Sequence, residues 1–240
     1  MSNPVKSFFF AAAVCLVCSL LLTAASTGLK DYQQKNVAMD MQRNILKSVG
    51  LLDPKEKYDF DAINRLYARN IRQVRVDSSG QIVPGDKISP RDLPVYIFMK
   101  QDVVESYIVP VNTQGLWGKI HGYLAVKADG ATVAGFSVYK HSETPGLGGE
   151  IESNWFQKNF IGKKIVDQQG KFVSVSVVKG TVQSQVPLEK QANYVDGISG
   201  ASLTGKYLTA GLADILRGYE PVAIRFRQNR FKIEPAAGKP

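Results

Sequence analysis

An uncharged, strongly apolar stretch runs from Ser7 to Leu29, between Lys6 and Lys30. As a helix at about 1.5 Å per residue it spans roughly 34 Å, enough to cross a hydrocarbon core of about 30 Å. The small residues of the sequence LTAAS within it also suggest a signal-peptide cleavage site, but the stretch is longer than a signal peptide requires. The pattern therefore predicts a tail and a single uncleaved transmembrane helix over residues 1–30, followed by one domain over residues 31–240.

Four later segments are predicted to be helical. Helical spacing of apolar residues predicts helices over Asp31–Val49, which stops before Gly50, and over Asp59–Ile71. A third helix is predicted from Ser153, as an N-cap, to Phe160. A fourth begins within Asp196–Thr204 and ends at Leu216, and its predicted buried residues are Leu203, Tyr207, Leu212 and Ile215.

The middle of the chain is rich in β-branched and aromatic residues, which favour strands. An Ala-Asp-Gly turn between two of these segments indicates a hairpin. Near the C-terminus, apolar residues alternate with Arg225 and Arg227, which predicts a final edge strand. Helices around an antiparallel sheet indicate an α+β domain. The predicted strands are Val95–Met99, Tyr107–Val111, Tyr123–Val126, Val133–Tyr139, Phe172–Val178 and the stretch containing Val222, Ile224 and Phe226.

The chain has 240 residues and a formal charge of +9. Its 30 basic residues are scattered, which favours an anionic partner or a headgroup region over nucleic acid. More basic residues follow the apolar stretch than precede it, which by itself places the C-terminal side in the cytoplasm. That rule is weak for long domains, so charge leaves the orientation open.

Cysteine and histidine are scarce. Cys15 and Cys18 both lie inside the apolar stretch, so the rest of the chain has no thiol or disulfide. A metal or iron–sulfur centre at this pair needs ligands from another chain, and two small apolar residues at a helix contact are the simpler interpretation. His121 and His141 lack the spacing of a self-contained zinc site.

The first of two glycine-rich tracts is His141–Glu150, with the sequence HSETPGLGGE. Three glycines and a proline exclude a regular element, so a predicted strand ends here in a shaped loop. Bare backbone at the glycines lets a flat ring approach closely and bond to backbone N–H groups. An ordinary turn is the alternative.

The second tract is Asp196–Thr204, with the sequence DGISGASLT, and it precedes a predicted helix. Free N–H groups at a helix N-terminus favour a phosphate group, and three hydroxyls lie in the same turn. A plain N-cap is the alternative. The segment Gly200–Tyr207 matches a phosphate-loop NTPase until its last position, where Tyr207 replaces the magnesium-binding Ser or Thr. The tract is therefore not predicted to hydrolyse nucleotides.

Together the two tracts resemble the FMN-binding domain family. The stretches NILKSVGL at Asn44–Leu51 and GLWGKIHGYLAV at Gly115–Val126 extend the resemblance to the C-subunit family of sodium-translocating NADH:quinone oxidoreductases. In that family FMN is joined through its phosphate to the hydroxyl of the residue after Ser-Gly-Ala. This residue is usually threonine but is Ser202 here, and Thr204 is the alternative acceptor.

The resemblance also implies roles for the residues around the acceptor. The phosphate is cradled by Ser199, Gly200 and Ala201, with Leu203 beside them. Asp196 is similar to the acidic residue that a FAD-using flavin transferase requires in its target. Residues implied near the ring are Trp117, Glu143, Thr144, Gly146, Leu147 and Gly148, of which Trp117 or Leu147 covers a ring face.

By resemblance, the domain is periplasmic and anchored in the bacterial inner membrane. It takes one electron from a membrane-embedded iron–sulfur centre and passes it to another flavin subunit. No sequence for NADH binding is present, because no GxGxxG follows a strand. Two alternatives stay open: the homologous flavin subunit of a ferredoxin:NAD oxidoreductase complex, and a non-redox, membrane-tethered binding protein.

Overall fold

The structure is a computed structural model, and it describes residues 4–53 and 56–231. The chain divides into two compact units, Met1–Met41 and Gln42–Pro240. The described part of the first unit is entirely helical and belongs to α1 (Pro4–Ser48), whose last residues form part of the second unit. The predicted apolar helix and the predicted helix over Asp31–Val49 are thus one continuous helix.

The first unit exposes apolar side chains all around α1. None of its strongly apolar part is buried in the structure. Among the described residues α1 alone is long and apolar enough to cross a membrane. Cys15 and Cys18 are free and exposed on this helix. A helix that is apolar on every side is stable in an apolar environment, which agrees with the predicted anchor.

The second unit is built on a five-stranded sheet in which each strand pairs with the next in sequence, always antiparallel. This confirms the predicted antiparallel sheet. The first strand was not predicted, because its sequence IRQVRV carries two arginines and a glutamine. The strands are β1 (Ile71–Val76), β2 (Leu93–Lys100), β3 (Val103–Gln114), β4 (Lys119–Lys127) and β5 (Val133–Lys140).

Helices cover both faces of the sheet. The larger core lies between the sheet and α3 (Asn154–Lys158), α5 (Ser202–Gly218) and α6 (Glu220–Arg227). The opposite face is covered by α2 (Phe60–Asn70) and by the end of α1, where Ile45 is fully buried. A hydrogen bond of 2.8 Å from the Ser137 hydroxyl to the Asn44 amide oxygen fixes that end of α1 on β5. The domain is therefore an α+β fold, as predicted.

The predicted C-terminal edge strand is wrong, because that segment forms α6. Pro221 stands in its first turn, a position where proline is well tolerated. Tyr219, Val222, Ala223 and Phe226 are buried, and this spacing is helical. Val222 and Phe226 are both buried and lie four residues apart. That spacing fits an alternating strand as well as a helix, which explains the wrong prediction.

The predicted strand Phe172–Val178 is largely wrong. Only β6 (Ser176–Val177) is regular, and it pairs in parallel with β7 (Tyr194–Val195). Ser174 has a φ of +68°, a left-handed conformation that interrupts an extended run. Between these strands lie α4 (Val182–Gln185) and a short 3-10 helix over Leu188–Asn193; two further 3-10 turns are Gly85–Lys87 and Gly148–Glu152.

Candidate functional site

The two glycine-rich tracts lie side by side and form the walls of a cleft of about 390 Å³. Leu116 lines it as well, a residue that the sequence did not single out. Ten of the predicted site residues line this cleft: Trp117, Glu143, Thr144, Leu147, Gly148, Gly200, Ala201, Ser202, Leu203 and Thr204.

The buried carboxylate of Glu143 joins three segments of the cleft. Its Oε1 accepts a hydrogen bond of 3.0 Å from the backbone N–H of Trp117. Its Oε2 accepts one of 2.5 Å from the hydroxyl of Thr204, on the first turn of α5. Glu143 is only 4% exposed; its bond to Thr204 is buried and its bond to Trp117 is partly buried. Because both oxygens are engaged, Glu143 connects the segment at Trp117 to the start of α5 in the wall of the cleft.

Two glycines make this arrangement sterically possible. A Cβ added at Gly148 would lie 2.5 Å from the Thr204 hydroxyl and 2.7 Å from the Glu143 Oε2. A Cβ at Gly115 would lie 2.6 Å from the Glu143 Oε1. These glycines are therefore needed for close packing around Glu143.

His141 supports Glu143 from the side, a role that the sequence did not suggest. The backbone N–H of Glu143 donates to the Nδ1 of His141 at 3.1 Å, so the ring proton lies on Nε2. That nitrogen faces the Glu152 carboxylate at 3.2 Å. The sequence feature that could have indicated this role is the position of His141, two residues before Glu143 in the same glycine-rich tract.

The helix α5 begins at the floor of the cleft. Its N-cap is Ala201, which provides no side-chain cap. The first intrahelical bond runs from the N–H of Gly205 to the carbonyl of Ala201, at 3.1 Å. The N–H groups of Ser202, Leu203 and Thr204 therefore have no partner within the helix. Such a helix start favours a phosphate group.

The structure separates the two candidate acceptor hydroxyls by their surroundings. Ser202 is the first residue of α5, and it is exposed and lines the cleft. Thr204 is 1% exposed, and its hydroxyl is engaged by Glu143. Of the two, the Ser202 hydroxyl is the one that a ligand can reach without breaking a buried hydrogen bond.

Replacing Thr204 with valine removes the hydroxyl but keeps the shape of the side chain. It leaves the buried Glu143 Oε2 without a donor, so we expect the free energy of unfolding to fall by about 1–3 kcal/mol. Chemical denaturation measures this loss. Thr204→Ser keeps the hydroxyl and should lose less than half as much, and equal losses would contradict a role for the hydrogen bond.

Three predicted residues do not line the cleft. Ser199 and Gly146 are exposed nearby, and Gly146 has a φ of +72° in the turn before Leu147. The Asp196 carboxylate accepts a hydrogen bond of 2.7 Å from the backbone N–H of Val182. It lines a separate, polar cleft of about 340 Å³. The structure therefore does not place Asp196 beside the candidate acceptor.

The mouth of the cleft is apolar and exposed. The exposed fraction is 69% for Trp117, 54% for Leu203 and 43% for Leu147, and Leu147 packs against Gly200. Exposed apolar side chains around a helix start with free N–H groups suit a flat ligand with a phosphate tail. Within residues 4–53 and 56–231, no group of three or more His, Cys, Asp or Glu side chains is arranged to hold a metal ion.

Comparisons with known proteins cover most of the chain. A family model described as FMN-binding domain matches residues 115–217. The chain is 33% identical to the C subunit of the Na(+)-translocating NADH-quinone reductase of Yersinia pestis, over 83% of this chain and 83% of the relative. It is 34% identical to the C subunit of the same enzyme from Neisseria meningitidis serogroup A, over 84% of this chain and 85% of the relative.

Solved structures similar to this chain belong to C subunits as well. The crystal structure of the C subunit from Parabacteroides distasonis has a TM-score of 0.69 and 30% identity, and covers 81% of this chain and 96% of that chain. Shewanella oneidensis NqrC shares the fold, with a TM-score of 0.67 at 21% identity over 82% of this chain and 99% of that chain. The chain therefore belongs to the C-subunit family of Na(+)-translocating NADH-quinone reductases, and it is one subunit of a multisubunit oxidoreductase.

Proposed function

We propose that this chain is an electron-transfer subunit that carries FMN, joined by a phosphoester to the hydroxyl of Ser202. The observation that carries the proposal is the exposed Ser202 hydroxyl at the start of α5, inside the cleft that the two glycine tracts form. The FMN-binding family model spans this region.

The residues of the cleft fit both ends of FMN. The N–H groups of Ser202, Leu203 and Thr204 suit the phosphate, and Gly200 brings bare backbone to the same turn. Trp117, Leu147 and Leu203 suit the apolar ring. Bound FMN supplies the capacity to take up and release electrons, and attachment through the phosphate leaves its ring unmodified. A cofactor that cannot dissociate suits a subunit that only relays electrons.

The attachment is a group transfer without a redox change. The Ser202 oxygen forms a bond to the FMN phosphorus of FAD, and the bond between that phosphorus and the bridging oxygen of the pyrophosphate breaks. AMP leaves with the bridging oxygen, and the hydroxyl proton passes to solvent. A separate flavin transferase catalyses this exchange and is therefore a partner in maturation.

Flavin fluorescence in a denaturing gel tests the proposal. The chain is expressed in a host that lacks its own flavin transferase, with and without a co-expressed transferase. A fluorescent band is expected only with the transferase, because only a covalent flavin survives denaturation. A dark band in both lanes would favour the alternative of a non-redox, membrane-tethered binding protein.

The proposed electron partners are other subunits of the same complex. We place this subunit between a membrane-embedded iron–sulfur centre, which gives it one electron, and another flavin-bearing subunit, which receives it. Co-purification from membranes distinguishes this from a ferredoxin:NAD oxidoreductase complex. The subunits of a Na(+)-translocating quinone reductase are expected, and recovery of a ferredoxin-side cluster subunit would contradict the assignment.

The proposed topology places α1 across the bacterial inner membrane and the flavin domain in the periplasm. A C-terminal fusion to alkaline phosphatase is therefore expected to be active, since that enzyme needs periplasmic disulfides. The matched fusion to β-galactosidase should be inactive. The reverse pair of activities would place the domain in the cytoplasm.

A further inference from the structure

The loop that leads into Ser202 is fixed against one neighbouring segment, Ser176–Val182, which we call the backing segment. The backbone N–H of Val178 donates to the carbonyl of Val195 at 3.0 Å, and the N–H of Gly197 donates to the carbonyl of Gly180 at 2.7 Å. The third bond is made by a side chain: the Asp196 carboxylate accepts from the N–H of Val182. The loop therefore starts from a fixed point on the backing segment.

The backing segment also holds the other side of Ser202. The N–H of Val177 donates to the hydroxyl of Thr209 on α5, at 2.9 Å. A Cβ added at Gly205 would lie 3.1 Å from a methyl carbon of Val177. Ser202 therefore lies between residues 195–197 and residues 205–209, and both of these stretches contact the backing segment.

Packing leaves the loop little freedom at its start. A Cβ at Gly197 would lie 2.1 Å from the carbonyl oxygen of Val178. From Ser199 to Gly200, in contrast, the loop is exposed, and Gly200 has a φ of +74°. The bonds at Asp196 and Gly197 therefore precede an exposed turn, in which Gly200 packs against Leu147.

From this arrangement we propose that Asp196 is a positioning residue for flavin attachment, acting through its hydrogen bond to the N–H of Val182. The proposal rests on the covalent attachment at Ser202. It differs from direct recognition of the Asp196 charge by a transferase. The bond sets the loop so that the Ser202 hydroxyl is presented at the start of α5 before the transferase arrives.

Three variants separate the hydrogen bond from the charge. Asp196→Ala removes both, whereas Asp196→Asn keeps an oxygen that can accept from Val182 and removes only the charge. Val182→Pro removes the N–H donor and leaves the carboxylate in place. Proline suits this position because Val182 is the first residue of α4, and Thr181 before it is extended, with φ −102° and ψ 145°.

The experiment measures the initial rate of covalent flavin incorporation into each full-length variant by a purified transferase with FAD. We expect Asp196→Ala and Val182→Pro to be slower by about tenfold or more, because each loses a charge-assisted hydrogen bond. Asp196→Asn should stay within about threefold of the unmodified chain. Either a rate for Asp196→Asn as low as that of Asp196→Ala, or a normal rate for Val182→Pro, overturns the proposal.

A second measurement does not depend on the transferase. Amide hydrogen exchange of the flavin-free chain across residues 197–201 should be faster in Asp196→Ala and Val182→Pro and unchanged in Asp196→Asn. Unchanged exchange in all three variants would also contradict the positioning role. If the unmodified chain takes up no covalent flavin, the proposed function itself fails, which is a different outcome.

Discussion

Ser202→Ala is expected to remove all covalent flavin from the chain while leaving the fold intact. Ser202 is exposed at the start of α5, and within the described part of the chain no hydrogen bond of its side chain supports the neighbouring structure. Alanine is also a good helix former, so the free energy of unfolding should change by less than about 0.5 kcal/mol. In-gel flavin fluorescence measures the loss, and denaturation of the flavin-free chain measures the stability.

Two matched variants make this prediction specific. Ser202→Thr keeps a hydroxyl at this position, so it should take up flavin as the unmodified chain does. Thr204→Ser keeps the buried hydroxyl and should also remain fluorescent. A fluorescent band for Ser202→Ala would move the acceptor elsewhere and contradict the proposed function at its most specific point.

Gly148→Ala is expected to destabilise the domain strongly, although it adds only one methyl group. The added Cβ would lie 2.5 Å from the Thr204 hydroxyl and 2.7 Å from the Glu143 carboxylate. Both groups are buried and bonded to each other, so neither can move without loss of that bond. Crowding and the lost hydrogen bond together should lower the free energy of unfolding by about 2–5 kcal/mol. Flavin incorporation should fall as well, because α5 is displaced.

Gly146→Ala in the same tract is the matched control. Among the residues that the structure describes, nothing lies within 4 Å of a Cβ at Gly146, but its φ is +72°. The variant therefore carries only the strain of a left-handed alanine, about 1–2 kcal/mol, and leaves Glu143 and Thr204 together. It should keep its flavin. Equal losses of stability and of flavin in the two variants would show that loop strain, and not packing around Glu143, explains both.

The sequence predicted the larger elements of the fold because their signals are local. The apolar stretch, the hairpin between β4 and β5 and the helix after the second tract each depend on neighbouring residues. The prediction of a C-terminal strand failed because alternating and helical spacings of apolar residues coincide over short lengths. There, Pro221 was the local sign of a helix start, and Tyr219 belonged to the buried face.

The buried face of α5 shows a second limit. Leu203 and Tyr207 were predicted to be buried, yet they are 54% and 42% exposed, whereas Thr204 and Leu208 face the core. A threonine is a poor candidate for a core position unless a partner satisfies its hydroxyl. Here the partner is Glu143, which lies 61 residues earlier, and no local pattern reveals such a distant pairing.

The sequence predicted most of the residues that form the site, but it did not predict the role of each. The two glycine tracts contain most of the residues that line the cleft, and the resemblance to a family implied the cofactor. The structure then distinguished surface residues from supporting ones: Glu143, predicted near the ring, is a buried residue of the cleft wall that bonds to Trp117 and Thr204, and Asp196 binds the backbone of Val182. Hydrogen bonds between distant segments decide such roles, and they depend on the complete fold.

Peptide mapping of the flavin-bearing chain identifies the acceptor side chain without any substitution. Trypsin should release residues 191–206, which contain Ser199, Ser202 and Thr204 in one peptide. Fragmentation in a mass spectrometer then assigns the added mass to one side chain. We expect a mass increase equal to FMN less one water, located on Ser202. An unmodified peptide, or the same increase located on Thr204 or Ser199, would contradict attachment at Ser202.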